Sequence, residues 1–229
     1  NDGSITSTVQ ANSDAGFSIV KYTGNRTSGA TIGHGLSQKP EIIITKNLDA
    51  TYNWIIYYKG EGANRYGYLN LANAWVTDTT GFNNVEPTNS VFTVGSAYES
   101  NGTHNMVAYC WHGVEGYSKF NTFEGNSSSD NAFVYLGFKP AVVIFKNIDA
   151  AGTNWTIVDN KRDKFNPAGR LLIPNGTDTE YDYTSSYPLD FLSNGFKIRA
   201  NTTIMGQNTI LYMAFAKHPF ANVSPATAR

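Results

Sequence analysis

Oxygen-bearing side chains occur twice in the same short pattern, Asn-x-Asp. The first occurrence comprises Asn47 and Asp49, and the second comprises Asn147 and Asp149. Carboxylate and amide oxygens are ligands that calcium accepts, so these four residues are weak candidates for calcium sites. Short Asn and Asp side chains also bond to the backbone of their own turn, and this structural role is the favoured interpretation. We therefore predict no bound cofactor and no metal site beyond these weak calcium candidates.

Side chains that commonly carry catalysis are few and lack catalytic spacing. The four histidines do not fall into a Cys/His metal pattern; they are His34, His104, His112 and His218. Neither a G-x-S-x-G elbow nor a phosphate-binding G-x-x-x-x-G-K-[ST] loop occurs. The acids are scattered singly among predicted loops, whereas a glycosidase needs two that converge. The sequence therefore indicates a protein that is not an enzyme, and a glycan depolymerase is the less favoured alternative.

The single cysteine is Cys110. It alternates with Ala108, and the closing strand of the second copy described below places Ala216 at the corresponding position. We expect a small buried residue here rather than a reactive thiol.

The composition is that of a turn-rich β protein with a nearly neutral surface. The chain has 229 residues, 15% of them charged, and its 17 basic and 18 acidic residues give a net charge of −1. Binding to nucleic acid or to an anionic membrane requires a basic face, so we predict neither partner. No apolar run approaches the ~20 residues of a membrane span, so we predict no membrane insertion.

A tandem duplication organises the chain. Residues 39–54 begin with Lys-Pro, continue through a β-branched run into Lys-Asn-x-Asp-Ala, and end with Asn-Trp; residues 139–155 repeat this order. Each segment predicts a β-hairpin, because a short apolar run is followed by turn residues and a second strand. We assign 1–15 to an N-terminal arm or linker, 16–115 and 116–220 to the two β repeats, and 221–229 to a tail.

The strand pattern predicts an all-β protein with an antiparallel, lectin-like or jelly-roll-like β-sandwich built from the two repeats. Each repeat contains about six predicted strands, and no segment shows a helical period beyond about two turns. Two architectures fit: two small sandwiches in series, or one sandwich whose sheets take strands from both copies. The absence of a linker favours close association of the copies.

Two long polar loops, 73–90 and 175–187, are the predicted contact surface. Loops of this length in a compact domain are usually functional or mobile. Their candidate binding residues, together with one aromatic residue of a neighbouring loop, are Trp75, Asn83, Asn84, Tyr98, Tyr181 and Tyr183. Trp54 and Trp155 repeat at equivalent positions, so core packing explains them better than ligand stacking.

Four strings of the chain resemble sequences that recur in virion proteins of marine tailed phages. They are residues 16–25, 107–120, 190–197 and 212–220, and the final Thr-Ala-Arg also matches. Those proteins are large tail-fibre-like or structural polypeptides that often carry a concanavalin-type lectin sandwich upstream of a duplicated C-terminal module. The resemblance covers the chain from about residue 14 onward and contributes no catalytic motif.

The resemblance implies a virion surface protein that adheres to a host glycan or protein. It also implies contacts with other virion proteins and self-association, as a trimer if the module sits on a fibre. The alternative is a purely structural subunit that decorates a capsid or forms filaments, with the 1–15 arm exchanged between protomers. Because the sequence does not begin with Met, we expect it to be a piece of a longer protein.

Overall fold

Two compact units make up the computed structural model, which describes residues 2–182 and 184–218. The first unit extends to Asn70 and resumes at Trp75–Gly113; the second comprises Leu71–Ala74 and the chain from Val114 onward. The boundary at 113/114 lies close to the predicted division between the two repeats. The described residues are almost all in strands, turns and loops, which confirms the all-β prediction.

The first unit contains a seven-stranded and a two-stranded antiparallel sheet. Its elements are β1 (Ser7–Asn12), β2 (Phe17–Thr23), β3 (Ala30–Gly33), β4 (Ile42–Asn47), β5 (Ile55–Tyr58), β6 (Arg65–Tyr68), β7 (Val76–Thr77), β8 (Val91–Val94), α1 (Tyr98–Asn101) and β9 (Asn105–Trp111). The large sheet has the order β1-β2-β9-β4-β5-β6-β7, and β3 pairs with β8. The single four-residue helix agrees with the prediction that any helix is short.

The second unit repeats the centre of this arrangement, with a main sheet of four strands in place of seven. Its strands are β10 (Ser118–Asn126), β11 (Phe133–Tyr135), β12 (Pro140–Asn147), β13 (Thr156–Asp159), β14 (Arg170–Leu171), β15 (Tyr181–Asp182), β16 (Leu189–Leu192), β17 (Gly195–Ile198) and β18 (Gln207–Ala216). The sheets are β10-β18-β12-β13, β11-β17-β16 and β14-β15. A bridge between Ile157 and Leu172 connects β13 to the segment that follows β14.

The two units share one topology, which supports the duplication independently of sequence. The order β2-β9-β4-β5 of the first unit becomes β10-β18-β12-β13 in the second, and the pair β3-β8 becomes β11-β17. Every sheet takes its strands from one copy. The architecture is therefore two antiparallel sandwich-like units, and the alternative in which both copies contribute strands to a shared sheet does not occur among the described strands.

Each unit encloses its own hydrophobic core between its larger and smaller sheets. In the first, Val20, Ile43 and Ala108 of the large sheet meet Ile32 and Phe92 of the β3-β8 pair. In the second, the corresponding layers contribute Val143, Phe145 and Tyr212 on one side and Val134 and Phe196 on the other. Burial of these side chains is the main stabilising contribution, since apolar burial stabilises by roughly 25 cal/mol per Å².

Strand pairing corrects one detail of the internal alignment. Ile43 pairs with Cys110 in the first unit, and Val143 pairs with Ala214 in the second. Cys110 therefore corresponds to Ala214, and the predicted correspondence with Ala216 is wrong by two residues. A shift of two keeps the same face of the strand, and because alanine occupies both positions, sequence comparison does not distinguish the registers.

The segment predicted as an N-terminal arm contributes a strand to the first unit. All six residues of β1 pair with β2, from Ser7 with Tyr22 to Asn12 with Phe17. Ile5 is buried and forms a parallel bridge with Ile32. The polar composition of β1 is explained by its place at the edge of the sheet, where five of its six side chains are exposed.

In each unit one buried asparagine holds together the loops that follow β2 and β8, or β10 and β17. Asn101 donates its Nδ2 to the carbonyls of Thr27 (3.0 Å) and Gly95 (2.7 Å), while its Oδ1 accepts the Asn25 N–H (2.9 Å). Buried backbone groups need such partners, because an unsatisfied one costs about 1–3 kcal/mol. One side chain thus satisfies three backbone groups, two in the loop 24–29 and one at Gly95.

In the second unit this task belongs to an asparagine at a different position in the sequence. Asn131 donates its Nδ2 to the carbonyls of Ala200 (3.1 Å) and Gly206 (2.8 Å) and accepts the Asn126 N–H (3.2 Å). Asn126 corresponds to Asn25 of the first unit. The two units therefore share this hydrogen-bonding pattern but supply it from different connections. Asn101 lies between β8 and β9, the last two strands of the first unit, whereas Asn131 lies between β10 and β11, the first two strands of the second.

Asn131→Asp should destabilise the protein more than Asn131→Ala. The carboxylate keeps the shape of the amide but aims a negative oxygen at the three carbonyls that the amide nitrogen bonds, those of Ser128, Ala200 and Gly206, whereas alanine only leaves those groups unsatisfied. We expect a loss of roughly 2–4 kcal/mol for the aspartate in urea unfolding. Asn201→Asp, at an exposed position of the same unit, is the matched control. Equal effects at 131 and 201 would contradict this role of Asn131.

Candidate binding surface

The repeated Asn-x-Asp residues form the same turn in both units. Asn47 Oδ1 accepts the Asp49 N–H (3.1 Å), and Asn147 Oδ1 accepts the Asp149 N–H (3.1 Å). Each asparagine is fully buried, and its Nδ2 donates to a distant carbonyl: Tyr98 O at 3.2 Å from Asn47 and Thr203 O at 2.5 Å from Asn147. The asparagines therefore hold the hairpin turn against the loop that precedes the last strand.

The two aspartates complete this connection. Asp49 Oδ2 accepts the backbone N–H of Asn105 (2.8 Å), and Asp149 Oδ2 accepts that of Thr209 (3.0 Å). These bonds account for the repeated Asn and Asp without an ion. Within residues 2–182 and 184–218 there is no group of three or more His, Cys, Asp or Glu that could hold a metal. Calcium binding at these four residues stays a prediction.

The repeated Asn-Trp dipeptide has one shared role and one that differs. Asn70 Oδ1 accepts the Trp54 N–H (3.0 Å), and Asn175 Oδ1 accepts the Trp155 N–H (2.9 Å). Trp155 is completely buried, which confirms core packing for that residue. Trp54 is half-buried, and its ring stacks on Tyr109 with centroids 6.4 Å apart.

A lysine precedes each Asn-x-Asp turn and points into it. Lys146 is buried, and its Nζ donates to the carbonyl (2.5 Å) and hydroxyl (3.1 Å) of Thr153. Lys46 Nζ donates to the carbonyl of Tyr52. Burial lowers the pKa of the Lys146 ammonium to about 8, because the charged form is desolvated. These lysines donate hydrogen bonds to the carbonyls of the turn, so their ammonium groups are not available to contact a ligand.

The prediction of an exposed aromatic contact at Trp75 is wrong. Only 5% of Trp75 is exposed, and its ring lies on Gly67, where a Cβ atom would come within 2.3 Å of the ring. Phe82 of the same loop is also buried. The loop 73–90 is thus partly folded into the first unit, because its large aromatic residues reach the sheet. Because the rest of the loop is polar, the sequence did not indicate that Trp75 and Phe82 are buried.

Asn83 and Asn84 have a conformational role. Both adopt left-handed backbone angles, with φ of 56° and 51°. Asparagine tolerates this region better than most residues, so the pair is explained by the turn it forms. Asn83 Oδ1 also accepts a hydrogen bond from the Ser28 hydroxyl (2.6 Å). Contact of these two residues with a ligand stays a prediction.

Tyr98 is exposed, as predicted, with 39% of its surface accessible. Its ring stacks on Tyr52 at 4.8 Å and 3°, and the Arg26 guanidinium lies 3.7 Å from its centroid. A guanidinium over a tyrosine ring contributes about 0.5–1 kcal/mol at an exposed site. Tyr98 therefore both holds its own segment in place and presents an aromatic edge to solvent.

The two remaining candidates belong to the second long loop. Tyr181 begins β15. Tyr183 lies outside the described residues. The contact surface predicted for 175–187 stays a prediction.

Cys110 and His34 are buried and uncharged at neutral pH. Cys110 is completely buried, which confirms the expected small buried residue, and burial raises the pKa of its thiol to about 12. Burial lowers the pKa of His34, whose Nε2 lies 3.2 Å from the Thr88 carbonyl. Neither side chain is accessible to solvent in this structure.

A depression on the second unit is lined in part by Phe165, the most exposed aromatic side chain of the described residues. It has a volume of about 220 Å³ and is lined by Lys139, Asn160, Asp163, Lys164, Phe165, Asn166, Phe191 and Lys217. Of the two phenylalanines in this lining, Phe165 is 84% exposed and Phe191 is buried. The sequence pointed to this loop only through its dense charge from Asp159 to Asp163, which is typical of a solvated loop.

The loop that presents Phe165 is fixed at both sides of the aromatic residue. Asp163 Oδ2 accepts the N–H groups of Gly169 (2.8 Å) and Arg170 (2.7 Å). Asn166 exchanges two hydrogen bonds with the backbone of Phe191, at 3.0 and 2.9 Å. The exposed ring therefore projects from a backbone held by side-chain bonds, which limits the conformational entropy lost on contact with a ligand.

Comparison with known proteins identifies a family without an assigned activity. Residues 1–219 match the family model described as Domain of unknown function (DUF7483). No curated protein and no solved structure matches the chain. Among the described residues, no helix has the length and apolar character needed to span a membrane.

Lys146→Met should remove a pH dependence of stability. The folded-state pKa of about 8 lies below the ~10.4 of an unfolded lysine, so the unfolded chain binds more protons between these values. The free energy of unfolding of the native protein should then rise by about 3 kcal/mol from pH 8 to 10.5 through this group. The Met variant should lack this rise in urea unfolding.

Lys161→Met, at an exposed lysine of the same unit, is the control for that measurement. The Lys161 variant should keep the native dependence of stability on pH, because it retains Lys146. Tyrosines and other groups that titrate at high pH are present in both variants, so they do not contribute to the difference between them. Parallel profiles for the two variants would show that Lys146 is not desolvated in solution.

Proposed function

The chain belongs to the DUF7483 family, and we propose that it is a non-enzymatic module of a virion surface that attaches to a glycan or protein of the host. The observation that carries this proposal is Phe165, an aromatic side chain 84% exposed on a loop whose backbone is fixed. Exposed aromatic rings bury large areas on binding and supply much of the energy at contact sites.

The polar groups near this ring support binding rather than bond cleavage. Asp163 is the one acid that lines the depression, and its carboxylate is engaged by two backbone N–H groups and by Arg170 Nε at 3.4 Å. Glycoside hydrolysis requires two carboxyl groups about 5–9.5 Å apart that face the substrate. The depression offers no such pair, so adhesion is favoured over a glycan depolymerase.

The proposed assignment to a virion rests on the resemblance of four strings of the chain to sequences of marine tailed-phage virion proteins. In that setting the module would lie at the C-terminal end of a fibre or other surface protein and contact further virion proteins. A trimer is the expected assembly on a fibre. Compact β units that each enclose their own hydrophobic core suit exposure at a virion surface.

Phe165→Ala should reduce adhesion without unfolding the protein. The ring is almost fully exposed, so its removal loses little packing, whereas a buried aromatic contact with a ligand is worth about 2 kcal/mol or more. We expect at least a tenfold loss of binding of the labelled 229-residue chain to marine bacterial cells or to a glycan array.

Tyr135→Ala is the matched control, since Tyr135 is another exposed aromatic residue of the second unit that does not line the depression. It should leave adhesion unchanged. Loss of binding in both variants, or in neither, would argue against Phe165 as the point of contact.

A structural subunit is the second candidate, favoured by the edge strand β1. This strand pairs on one side with β2 and has no other strand partner among the described residues. It contains no charged residue and no proline. Edge strands without such protection pair readily with other chains. Beside β1, Gln10, Asn12, Phe17 and Ile19 line a further depression of about 450 Å³.

A chain carrying both Thr8→Lys and Gln10→Lys tests this candidate. Lysine on an edge strand opposes strand addition, so light scattering should show that an assembly built through β1 dissociates. Lys21→Gln, on the adjacent β2, is the control and should leave the mass unchanged. An assembly that is insensitive to the β1 substitutions would exclude strand addition at this edge.

A further inference from the structure

The two units carry equivalent depressions beside the start of β4 and of β12. The first has a volume of about 340 Å³ and is lined by Lys39, Pro40, Glu41, Lys59 and Glu86. The Lys59 N–H donates to the Glu41 carbonyl (2.9 Å), and the Asn160 N–H donates to the Ala141 carbonyl (2.9 Å). These matching bonds show that Lys59 corresponds to Asn160 and Glu41 to Ala141.

The charges of the first depression neutralise one another. Lys39 Nζ lies 3.5 Å from Glu86 Oε2, and Lys59 Nζ lies 3.0 Å from Glu41 Oε2. Two cations thus face two anions. Glu86 is held in place by the Tyr57 hydroxyl (2.5 Å), so the pairing is part of the fold of this unit.

The second depression has lost this balance. Lys139, Lys164 and Lys217 all line it, all are exposed, and none forms an ion pair within residues 2–182 and 184–218. Alanine replaces the glutamate at position 141. The only acid present, Asp163, is occupied by backbone N–H groups and Arg170. Three lysines and one aspartate leave a charge of +2 on a protein whose net charge is −1.

We propose that this depression binds an acidic saccharide, a sugar residue that carries a carboxylate or a sulfate. The lysine ammonium groups supply charge-assisted hydrogen bonds to the anionic group. The Phe165 ring supplies an apolar surface for the face of the sugar ring, which an inorganic anion does not use. This inference rests on the proposed adhesive function and names the chemistry that the site recognises.

The size of the site indicates how much of the ligand enters. Its 220 Å³ is smaller than the ~300–1,000 Å³ of pockets for drug-sized ligands, so it accommodates one sugar residue rather than a whole oligosaccharide. We therefore expect the depression to recognise a single terminal or branching sugar residue of a larger saccharide. Because the lysines are exposed, binding should weaken as salt increases, with screening over about 10 Å at 0.1 M.

Calorimetric titration of the intact 229-residue chain tests the proposal. The probes are trigalacturonic acid, a chondroitin sulfate tetrasaccharide, neutral galactotriose and inorganic sulfate, each at low and at physiological salt. We expect one of the two acidic saccharides to bind at least tenfold more tightly than galactotriose and sulfate. The acidic saccharide that binds distinguishes a carboxylate from a sulfate.

Three variants locate the binding. Lys164→Gln combined with Lys217→Gln should raise the Kd at least tenfold, because two charge-assisted contacts are lost. Ala141→Glu, which restores the acid of the first unit, should have a similar effect. Lys161→Gln removes an exposed lysine of the same loop that does not line the depression and should change nothing. Thermal unfolding of each variant verifies that it is folded.

Several outcomes would overturn the proposal. They are equal affinity for neutral and acidic sugars, sulfate binding as tight as saccharide binding, tighter binding of a tetraglutamate peptide, and insensitivity to the lysine substitutions. Absence of binding to every saccharide would overturn it as well. Adhesion of the wild-type chain to bacterial cells is measured separately, so failure of the saccharide assignment is distinguishable from failure of the proposed adhesion.

Discussion

The demand that buried backbone groups be hydrogen-bonded governs this fold. Long connections cross the ends of both units, and their carbonyl and N–H groups cannot all reach a strand partner. Asparagine amides meet the demand, since each has a donor and an acceptor end. Asn47 and Asn147 hold the hairpin turns, and Asn101 and Asn131 join the loops beyond the first core strands. An asparagine-rich composition is thereby explained by structure before binding is considered.

The duplication separates what the fold requires from what each copy is free to change. Both units keep the sheet order, the Asn-x-Asp turn, the lysine behind it and the asparagine that contacts the tryptophan N–H. The depression beside the Lys-Pro segment is not kept in the same form. In the first unit the charges of the depression are paired with one another, whereas in the second unit three lysines have no ion-pair partner among the described residues and an exposed phenylalanine lies beside them. This difference in charge between the two copies is the basis of the proposed saccharide site.

Sequence reasoning succeeded where a residue pattern acts locally. The all-β class, the duplication, the hairpin at each Asn-x-Asp turn, the small buried Cys110 and the exposed Tyr98 all follow from short-range pattern and composition. It failed at Trp75, because a tryptophan in a polar loop gives no sign of Gly67, eight residues earlier, whose missing side chain leaves room for the ring. It did not predict the depression lined by Lys139 and Lys217, since nothing linear shows that these two residues lie near the loop that carries Phe165.

The sequence by itself determined the β class, the two copies and the turns that each copy repeats, because strand period and turn chemistry are encoded over a few adjacent residues. Only the tertiary structure decided which copy supplies each strand and which charges are paired. It also decided that Cys110 corresponds to Ala214 of the second copy and not to Ala216. Those outcomes depend on pairings such as Ile43 with Cys110 and Lys39 with Glu86, whose partners are distant in the sequence. The spacing of Lys139, Lys164 and Lys217 along the chain carries no trace of the one surface that they share.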